Sequence, residues 1–199
     1  MLSLFDLRRG GSPEAILPNG PIQVAEPWSP DGRFLLYAIR SGPQVGLWVV
    51  SVGGERTARL FLSGIFDPTS RAQFSPDGRW VAFNLVVSGR SEVYVAPFPG
   101  PGERVRVSAS GGWRPRWRGD GRELFYVSGD DEMIVAPVRL GSSDVQIGTP
   151  QRLFRIDPAG WRDYDVRGDG ERFLAVVNVP VADADAISVA TNWPSLLKR

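Results

Sequence analysis

The chain contains no cysteine and no histidine among its 199 residues. The lack of cysteine excludes disulfides, thiol nucleophiles and cysteine metal ligands, and it fits an oxidising or a reducing compartment equally well. The lack of histidine removes the commonest general base and the Ser-His and Cys-His couples of hydrolases; together, the two absences remove the usual ligands of zinc. We therefore predict that this chain is not an enzyme, and we assign it no catalytic residue, no metal and no cofactor.

The sequence also lacks a charge imbalance and a long apolar run. Lys and Arg number 23 against 22 Asp and Glu, and a net charge of +1 gives no general attraction to nucleic acid or to an anionic membrane. No apolar run approaches the roughly 20 residues of a membrane-spanning helix, and residues 1–11 carry charge where a signal peptide needs an apolar centre. We expect no nucleic-acid partner and no direct membrane contact by this chain.

What the sequence does contain is one pattern in four copies. The copies are WSPDGRFLLYA (28–38), FSPDGRWVAF (74–83), WRGDGRELFYV (117–127) and VRGDGERFLAV (166–176). The turn aspartates of successive copies are 46, 43 and 49 residues apart; they are Asp31, Asp77, Asp120 and Asp169. These spacings are close to the period of about 40 to 50 residues that marks propeller blades. With 42% hydrophobic residues, the chain is expected to fold around a substantial core.

Each copy begins a unit of predicted strands, four in each of the first three units and three in the last. Apolar residues alternate after each turn, which is typical of a strand, and no segment carries a long helical apolar stripe. Third strands are predicted at 46–52, 92–98, 132–138 and 186–193, and fourth strands at 58–64, 104–110 and 151–157. The sequence therefore predicts an all-β propeller of about four consecutive four-stranded antiparallel blades.

We interpret the Asp-Gly pairs as structural turns. Glycine takes the positive φ of a tight connection, and the Asp side chain accepts hydrogen bonds from nearby backbone N–H groups. The pairs are Asp31 and Gly32, Asp77 and Gly78, Asp120 and Gly121, and Asp169 and Gly170. The Arg-Gly-Asp tripeptides at 118–120 and 167–169 stand where Ser-Pro-Asp stands in the other copies, so they are interpreted as variant turns rather than adhesion motifs.

Aromatic residues recur at equivalent positions of the copies. Such recurrence is typical of packing between blades, so these side chains are expected in the core rather than at a ligand. They are Trp28, Phe74 and Trp117 before the turn, and Tyr37, Phe83 and Tyr126 after it.

Ser-Pro-Asp-Gly-Arg followed by an alternating apolar strand, at this spacing, resembles the TolB-like propeller repeats of bacteria. Residues 111–138 and 186–199 are also similar to the C-terminal propellers of some bacterial serine/threonine kinases. The resemblance implies a non-catalytic module that binds a protein, a peptide or a small ligand within a larger signalling protein. It also implies a periplasmic location if an upstream membrane span anchors the parent protein, and a cytoplasmic location otherwise.

The resemblance leaves a second function open, because similar blades also stand beside peptidase domains of the prolyl oligopeptidase type. An accessory propeller that gates access to a serine hydrolase is the alternative. The chain carries neither the catalytic residues of a kinase nor those of a serine hydrolase. Lys198 is its only lysine, so the catalytic lysine of a kinase is missing, and the Gly-x-Ser-x-Gly elbow of a hydrolase is absent from the sequence. Catalytic activity is therefore expected in a separate domain of the parent protein.

We predict that residues 1–199 form a single propeller region. Residues 1–18 are expected to supply the outer strands of an incomplete blade, followed by blades at 19–64, 65–110 and 111–157 and a last blade at 158–199. An open arc would expose apolar blade faces and strand edges. We favour part of a larger ring over a complete four-bladed ring in which the N-terminal segment completes the last blade.

One segment suggests a ligand site. Arg114, Arg116 and Arg118 alternate with Trp113, Pro115 and Trp117. A regular strand would project the three guanidinium groups from one face and place the tryptophans on the other. Because the innermost strand of a blade lines the central channel, we predict a site there for a small anionic ligand or an acidic peptide. The alternative is that these arginines pair with neighbouring acids or face water.

The acidic cluster of Asp163, Asp165 and Asp169 does not indicate a calcium loop. Arg167 occupies a position where an oxygen ligand is needed, and Val176 stands where an EF-hand places its bidentate glutamate.

Overall fold

The computed structural model describes residues 2–5, 10, 12–17, 23–54, 56–64, 71–100, 102–156 and 161–177. Within these ranges the regular structure consists of β-strands, and no helix is present there that would be long enough to cross a membrane. An N-terminal hairpin pairs β1 (Leu2–Leu4) with β2 (Glu14–Leu17).

Four further sheets follow in chain order. Blade 1 comprises β3 (Gln23–Trp28), β4 (Phe34–Ile39), β5 (Gly46–Ser51) and β6 (Ala58–Ser63). Blade 2 comprises β7 (Gln73–Phe74), β8 (Trp80–Val87), β9 (Arg90–Pro97) and β10 (Val105–Arg106). Blade 3 comprises β11 (Gly112–Trp117), β12 (Glu123–Ser128), β13 (Glu132–Leu140), β14 (Val145–Ile147) and β15 (Gln151–Arg155). Blade 4 is described for β16 (Trp161–Val166) and β17 (Phe173–Val177).

The predicted all-β propeller of successive antiparallel blades is confirmed. All strand pairs are antiparallel, and each complete blade runs from its first strand outward in chain order. The outer edge of blade 3 is divided, because β14 and β15 pair with opposite halves of β13. The first strands β3, β7, β11 and β16 contact one another in succession, as the inner strands around a propeller channel do.

The second strand of each complete blade is buried on both faces because it lies between two neighbouring sheets. In β8, Val81 and Phe83 pack toward blade 1, whereas Trp80 and Ala82 pack toward blade 3. Because successive side chains of β8 point to opposite faces of the sheet, the strand presents one apolar face to blade 1 and another to blade 3. Burial of each large apolar side chain contributes about 1.5 to 3 kcal/mol. The core between blades 2 and 3 contains Trp80, Ala82, Val93, Val95, Val107, Trp117, Leu124, Tyr126, Ile134, Ala136 and Val138.

The core prediction for the aromatic residues before the turn is wrong for Trp28. Phe74 and Trp117 are buried against the preceding blade, but Trp28 is 43% exposed. Trp28 is exposed because no complete blade precedes blade 1 among the described strands. Only the N-terminal hairpin lies there, and its Ile16 and Leu17 pack on β4 rather than on Trp28. The aromatic residues after the turn, Tyr37, Phe83 and Tyr126, are buried.

The four Asp-Gly turns share one geometry. Their glycines have φ between 70° and 77°, and each Asp Oδ1 accepts a hydrogen bond from the backbone N–H two residues later. In blade 1, Ser29 Oγ also donates to Asp31 at 2.5 Å and accepts from Phe34 N at 2.9 Å. Hydrogen bonds from Ser29 and Arg33 lower the pKa of Asp31 to about 2. The turn of blade 2 repeats this network with Ser75 and Asp77.

The turns of blades 3 and 4 touch through their backbones. Gly119 N donates to Gly168 O at 2.9 Å, and this approach leaves no room for a side chain at residue 119. A Cβ atom on Gly119 would lie 2.8 Å from the Gly168 carbonyl oxygen. The arginine of each Arg-Gly-Asp tripeptide turns back toward its own aspartate, at 3.5 Å for Arg118 and 3.1 Å for Arg167.

Gly119→Ala is expected to lower the free energy of unfolding by about 1 to 3 kcal/mol, because the new methyl group forces two backbone segments apart. Gly168→Ala is the matched control, since a Cβ atom there meets nothing within 4 Å. Urea denaturation of both variants measures the difference. Equal midpoints for the two variants would contradict the close approach.

Some predictions fall on residues outside the described ranges. The predicted third strand at 186–193 is one of them, so the completion of blade 4 and the closure of the ring stay predictions. Among the described strands, the N-terminal hairpin pairs only within itself. The proposed unit boundaries also stay predictions.

Candidate functional site

Residues on or beside the first strands of the four blades, together with two residues of β17, line an open cavity of about 400 Å³. Its wall combines guanidinium, carboxylate and amide groups with apolar side chains. Leu174 and Val176 of β17 form the apolar part and are each 55% exposed. The lining residues are Pro27, Arg71, Ala72, Gln73, Arg116, Asp163, Tyr164, Asp165, Leu174 and Val176.

The predicted common face of three arginines is wrong because β11 contains a bulge. Trp113 pairs with Val127 and Arg116 pairs with Phe125, so β11 has one residue more than β12 between these pairs. One extra residue reverses the alternation of side chains between the two faces. Trp113 therefore packs toward blade 4, whereas Trp117 packs toward blade 2.

Arg116 is the member of the predicted trio that lines the cavity. Its side chain is 14% exposed, and its guanidinium lies 3.4 Å from Asp163 Oδ1 and 3.8 Å from Asp165 Oδ1. The same group lies over the ring of Tyr164, 5.6 Å from the ring centre, where the negative face of the ring attracts a cation. These contacts fix the direction of the guanidinium and offset part of its charge.

Arg114 lies at the bulge, with a φ of 56°, and is not among the lining residues. Its backbone joins three blades. Arg114 N donates to Asn84 Oδ1 of blade 2 at 3.4 Å, and Arg114 O accepts a hydrogen bond from the Tyr164 hydroxyl of blade 4 at 2.6 Å. Burial raises the pKa of that hydroxyl well above its ordinary range, so Tyr164 stays a donor at physiological pH.

Arg118 lies beyond the end of β11 in the turn of blade 3. Its guanidinium is 3.3 Å from Glu123 and 3.5 Å from Asp120, away from the cavity. The structure therefore separates the three arginines into a channel residue, a bulge residue and a turn residue.

Two further residues at the channel were not predicted from the sequence. Arg71 lines the cavity, and among the described residues no carboxylate lies within ion-pair distance of it. Glu26 of β3 is buried, with 1% of its side chain exposed, and its Oε2 accepts a hydrogen bond from Ala72 N at 3.1 Å. Burial raises the pKa of Glu26 from 4.5 to about 7, although the nearby guanidinium groups oppose this shift.

A sequence signal for Glu26 does exist. It stands two residues before Trp28, and the corresponding residues in the other copies are Ala72, Pro115 and Tyr164. All four are buried, so a carboxylate at this position is unusual. Arg71 has no comparable signal, because surface arginines are common.

The acidic residues of the site form ion pairs. Asp163 and Asp165 both face Arg116, and the described residues contain no group of three or more acidic side chains arranged to hold a metal ion. A larger cavity of about 640 Å³ lies between the turns of blades 2 and 3, where Arg79 and Arg122 face the turn aspartates Asp77 and Asp120. Arg139 also lines that larger cavity, and no carboxylate of the described residues pairs with it; the channel cavity differs in placing Arg71 beside the exposed aliphatic side chains of Leu174 and Val176.

No family model matches the sequence. The chain is 28% identical, over 86% of its own length, to an uncharacterized protein of Agrobacterium fabrum, and it spans 60% of that relative. It superposes on a TolB candidate from Agrobacterium tumefaciens with a TM-score of 0.56 and 23% identity, covering 86% of this chain and 63% of the other. For TolB from Acinetobacter baumannii the TM-score is 0.57 and the identity 19%, over 83% and 40% of the two chains.

A candidate 6-phosphogluconolactonase from Bacteroides uniformis is also similar, with a TM-score of 0.51 and 17% identity over 77% and 47% of the two chains. At these identities the likeness shows the fold, which is that of TolB-type propellers. Propellers support many functions, so the function has to be argued from the site.

Proposed function

We propose that the chain is a non-catalytic propeller module whose channel binds a peptide or a small ligand that carries a carboxylate. The observation that supports this proposal is the position of Arg71, a guanidinium without an ion-pair partner among the described residues, in the wall of the channel cavity. A guanidinium presents forked donors that match the two oxygens of a carboxylate.

The apolar part of the cavity wall further restricts the class of ligand that fits. Leu174 and Val176 expose aliphatic surface into the same cavity, so a ligand that joins an aliphatic group to a carboxylate fits both parts. Arg116 provides a second positive group whose direction is fixed by Asp163 and Asp165. The site lacks a histidine or cysteine to activate a nucleophile, which supports binding rather than turnover.

The parent protein is part of the same proposal. We infer a bacterial signalling protein, such as a serine/threonine kinase, in which the propeller senses the ligand for a separate catalytic domain. The coding sequence beside this chain tests that inference, since a hydrolase domain there would favour the substrate-gating alternative. Turnover of 6-phosphogluconolactone by the isolated chain would contradict a non-catalytic role.

Arg71→Gln is expected to weaken binding of N-acetylleucine, the probe for a carboxylate beside an aliphatic group, at least tenfold. NMR titration of the purified chain measures the affinity, and N-acetylleucinamide shows how much of it depends on the carboxylate. Arg118→Gln is the matched control, because this substitution removes the same charge from a turn that lies outside the cavity. Equal loss in both variants, or no binding by the wild type, would overturn the channel site.

A further inference from the structure

A third cavity, which we call the outer cavity, lies between blades 2 and 3 and has a volume of about 490 Å³. The connection from β9 to β10 forms one wall, and the β13–β14 hairpin forms the other. Trp80, the first residue of β8, also lines it and is only 2% exposed. The described lining residues all differ from those of the channel cavity, so the outer cavity is a separate site.

The indole N–H of Trp80 is an unsatisfied donor. Trp80 Nε1 is buried and has no hydrogen-bond partner among the described residues. Trp117, the other tryptophan buried in this core, donates its indole N–H to Gln73 O at 3.2 Å. Buried donors without an acceptor are rare because they lose the hydrogen bond that water would supply. An oxygen atom that a ligand brings to this donor is therefore bound favourably.

The charged groups that line the outer cavity are negative. Glu103 of blade 2 and Asp144 of blade 3 are both exposed, and neither forms an ion pair with another described residue. Arg104, the residue after Glu103, lies over the ring of Tyr94 instead, 5.2 Å from the ring centre. No lysine or arginine is among the described lining residues. Such a lining attracts a cation and repels an anion.

The blade 2 wall is held in place by contacts with its surroundings. Phe98 packs edge-on against Phe74, with the ring centres 5.0 Å apart. Arg59 Nη2 of blade 1 donates a hydrogen bond to Pro99 O at 2.8 Å. Phe98 and Pro99 both line the outer cavity, so this wall keeps its shape without a ligand. Binding to a site that is already formed costs less conformational entropy.

We propose that the outer cavity binds a peptide segment that carries a basic side chain. A carbonyl oxygen of the peptide accepts the indole N–H of Trp80, and the basic group pairs with Glu103 and Asp144. Pro97 and Val145 provide apolar surface for the aliphatic part of the basic side chain. The inference goes beyond the proposed function of the channel and does not depend on it.

The probe is Nα-acetyl-lysinamide, a small unit that joins amide carbonyls to a basic side chain. N-acetylnorleucinamide keeps the amides and lacks the charge, whereas n-butylamine keeps the charge and lacks the amides. NMR titration follows the indole resonances of the seven tryptophans. We expect the lysine probe to bind at least about tenfold more tightly than either partial probe and to move one indole resonance. Equal binding of the lysine probe and either partial probe would overturn the proposal, as would the lack of any moving indole resonance.

Trp80→Phe removes the donor and keeps an aromatic ring in the core. We expect this variant to bind the lysine probe about five- to tenfold more weakly, because one hydrogen bond is lost. The indole resonance that moves in the wild type should be missing from its spectrum. If that resonance is still present, the probe contacts a different tryptophan and the proposed site is wrong.

A double variant at the surface serves in case Trp80→Phe does not fold. Glu103→Gln combined with Asp144→Asn is expected to weaken binding of the lysine probe at least about tenfold, since both negative groups are lost. The matched control combines Asp130→Asn with Glu171→Gln, which removes two exposed carboxylates that do not line the outer cavity. Equal affinities of the two double variants would overturn the proposal.

Discussion

Trp117→Ala is expected to lower the free energy of unfolding by about 3 to 5 kcal/mol, the range for truncating a large buried aromatic side chain. Trp117 is 5% exposed and packs between blades 2 and 3. Its indole Nε1 donates to Gln73 O at 3.2 Å, and its backbone N–H donates to Gln73 Oε1 at 2.8 Å. The substitution removes the first of these hydrogen bonds together with the apolar contact, so a cavity opens where two blades meet.

Chemical denaturation followed by circular dichroism measures this loss. Trp28→Ala is the matched control, since Trp28 holds the same place in the repeat but is 43% exposed, against 5% for Trp117. A loss below about 1 kcal/mol is expected for that variant, as for most surface substitutions. If Trp117→Ala denatured at the wild-type midpoint, the packing of blade 3 on blade 2 would be wrong.

Glu26→Gln is expected to become more stable relative to the wild type as the pH rises. Because the folded-state pKa of about 7 exceeds the ordinary value of 4.5, the unfolded chain loses its Glu26 proton first. The wild type therefore loses stability between about pH 4.5 and pH 7, whereas glutamine carries no proton to lose. A shift of this size corresponds to about 3 kcal/mol.

Thermal and urea denaturation at pH 4 and at pH 8.5 give the free energy of unfolding of the variant and of the wild type. The quantity of interest is how the gap between the two proteins changes with pH. The gap between variant and wild type should widen by about 3 kcal/mol in favour of the variant at the higher pH. Glu103→Gln, which removes an exposed carboxylate, is the matched control. A constant gap for Glu26→Gln at both pH values would show that Glu26 ionises in the folded protein as it does in the unfolded chain.

The repeat made the fold predictable. Turn chemistry and period-two spacing are local properties, so four copies of Asp-Gly followed by an apolar strand define the blades without knowledge of any contact. The exposure of Trp28 was not predictable from its place in the repeat, because burial there depends on the strands supplied by a neighbouring unit.

The site was harder to predict because it depends on non-local geometry. The row of arginines was inferred from strict alternation along β11, and one bulge residue invalidated it. Arg71 and Glu26 are 45 residues apart in sequence, and Glu26 bonds the backbone of Ala72, beside Arg71, only because blades 1 and 2 are adjacent. A comparison of the copies residue by residue marks Glu26 as unusual, but the guanidinium groups around it are known only from the fold.

The bulge in β11 recurs in β3 and β16. A strand of this kind has its two halves in opposite phase, so residues near the irregularity are released from the strict inward-outward order that packing imposes on the rest. At the β11 bulge the neighbouring blades use the irregular backbone: Arg114 N donates to Asn84 Oδ1, and Arg114 O accepts a hydrogen bond from the Tyr164 hydroxyl. This irregularity therefore fastens three blades to one another at their inner edge.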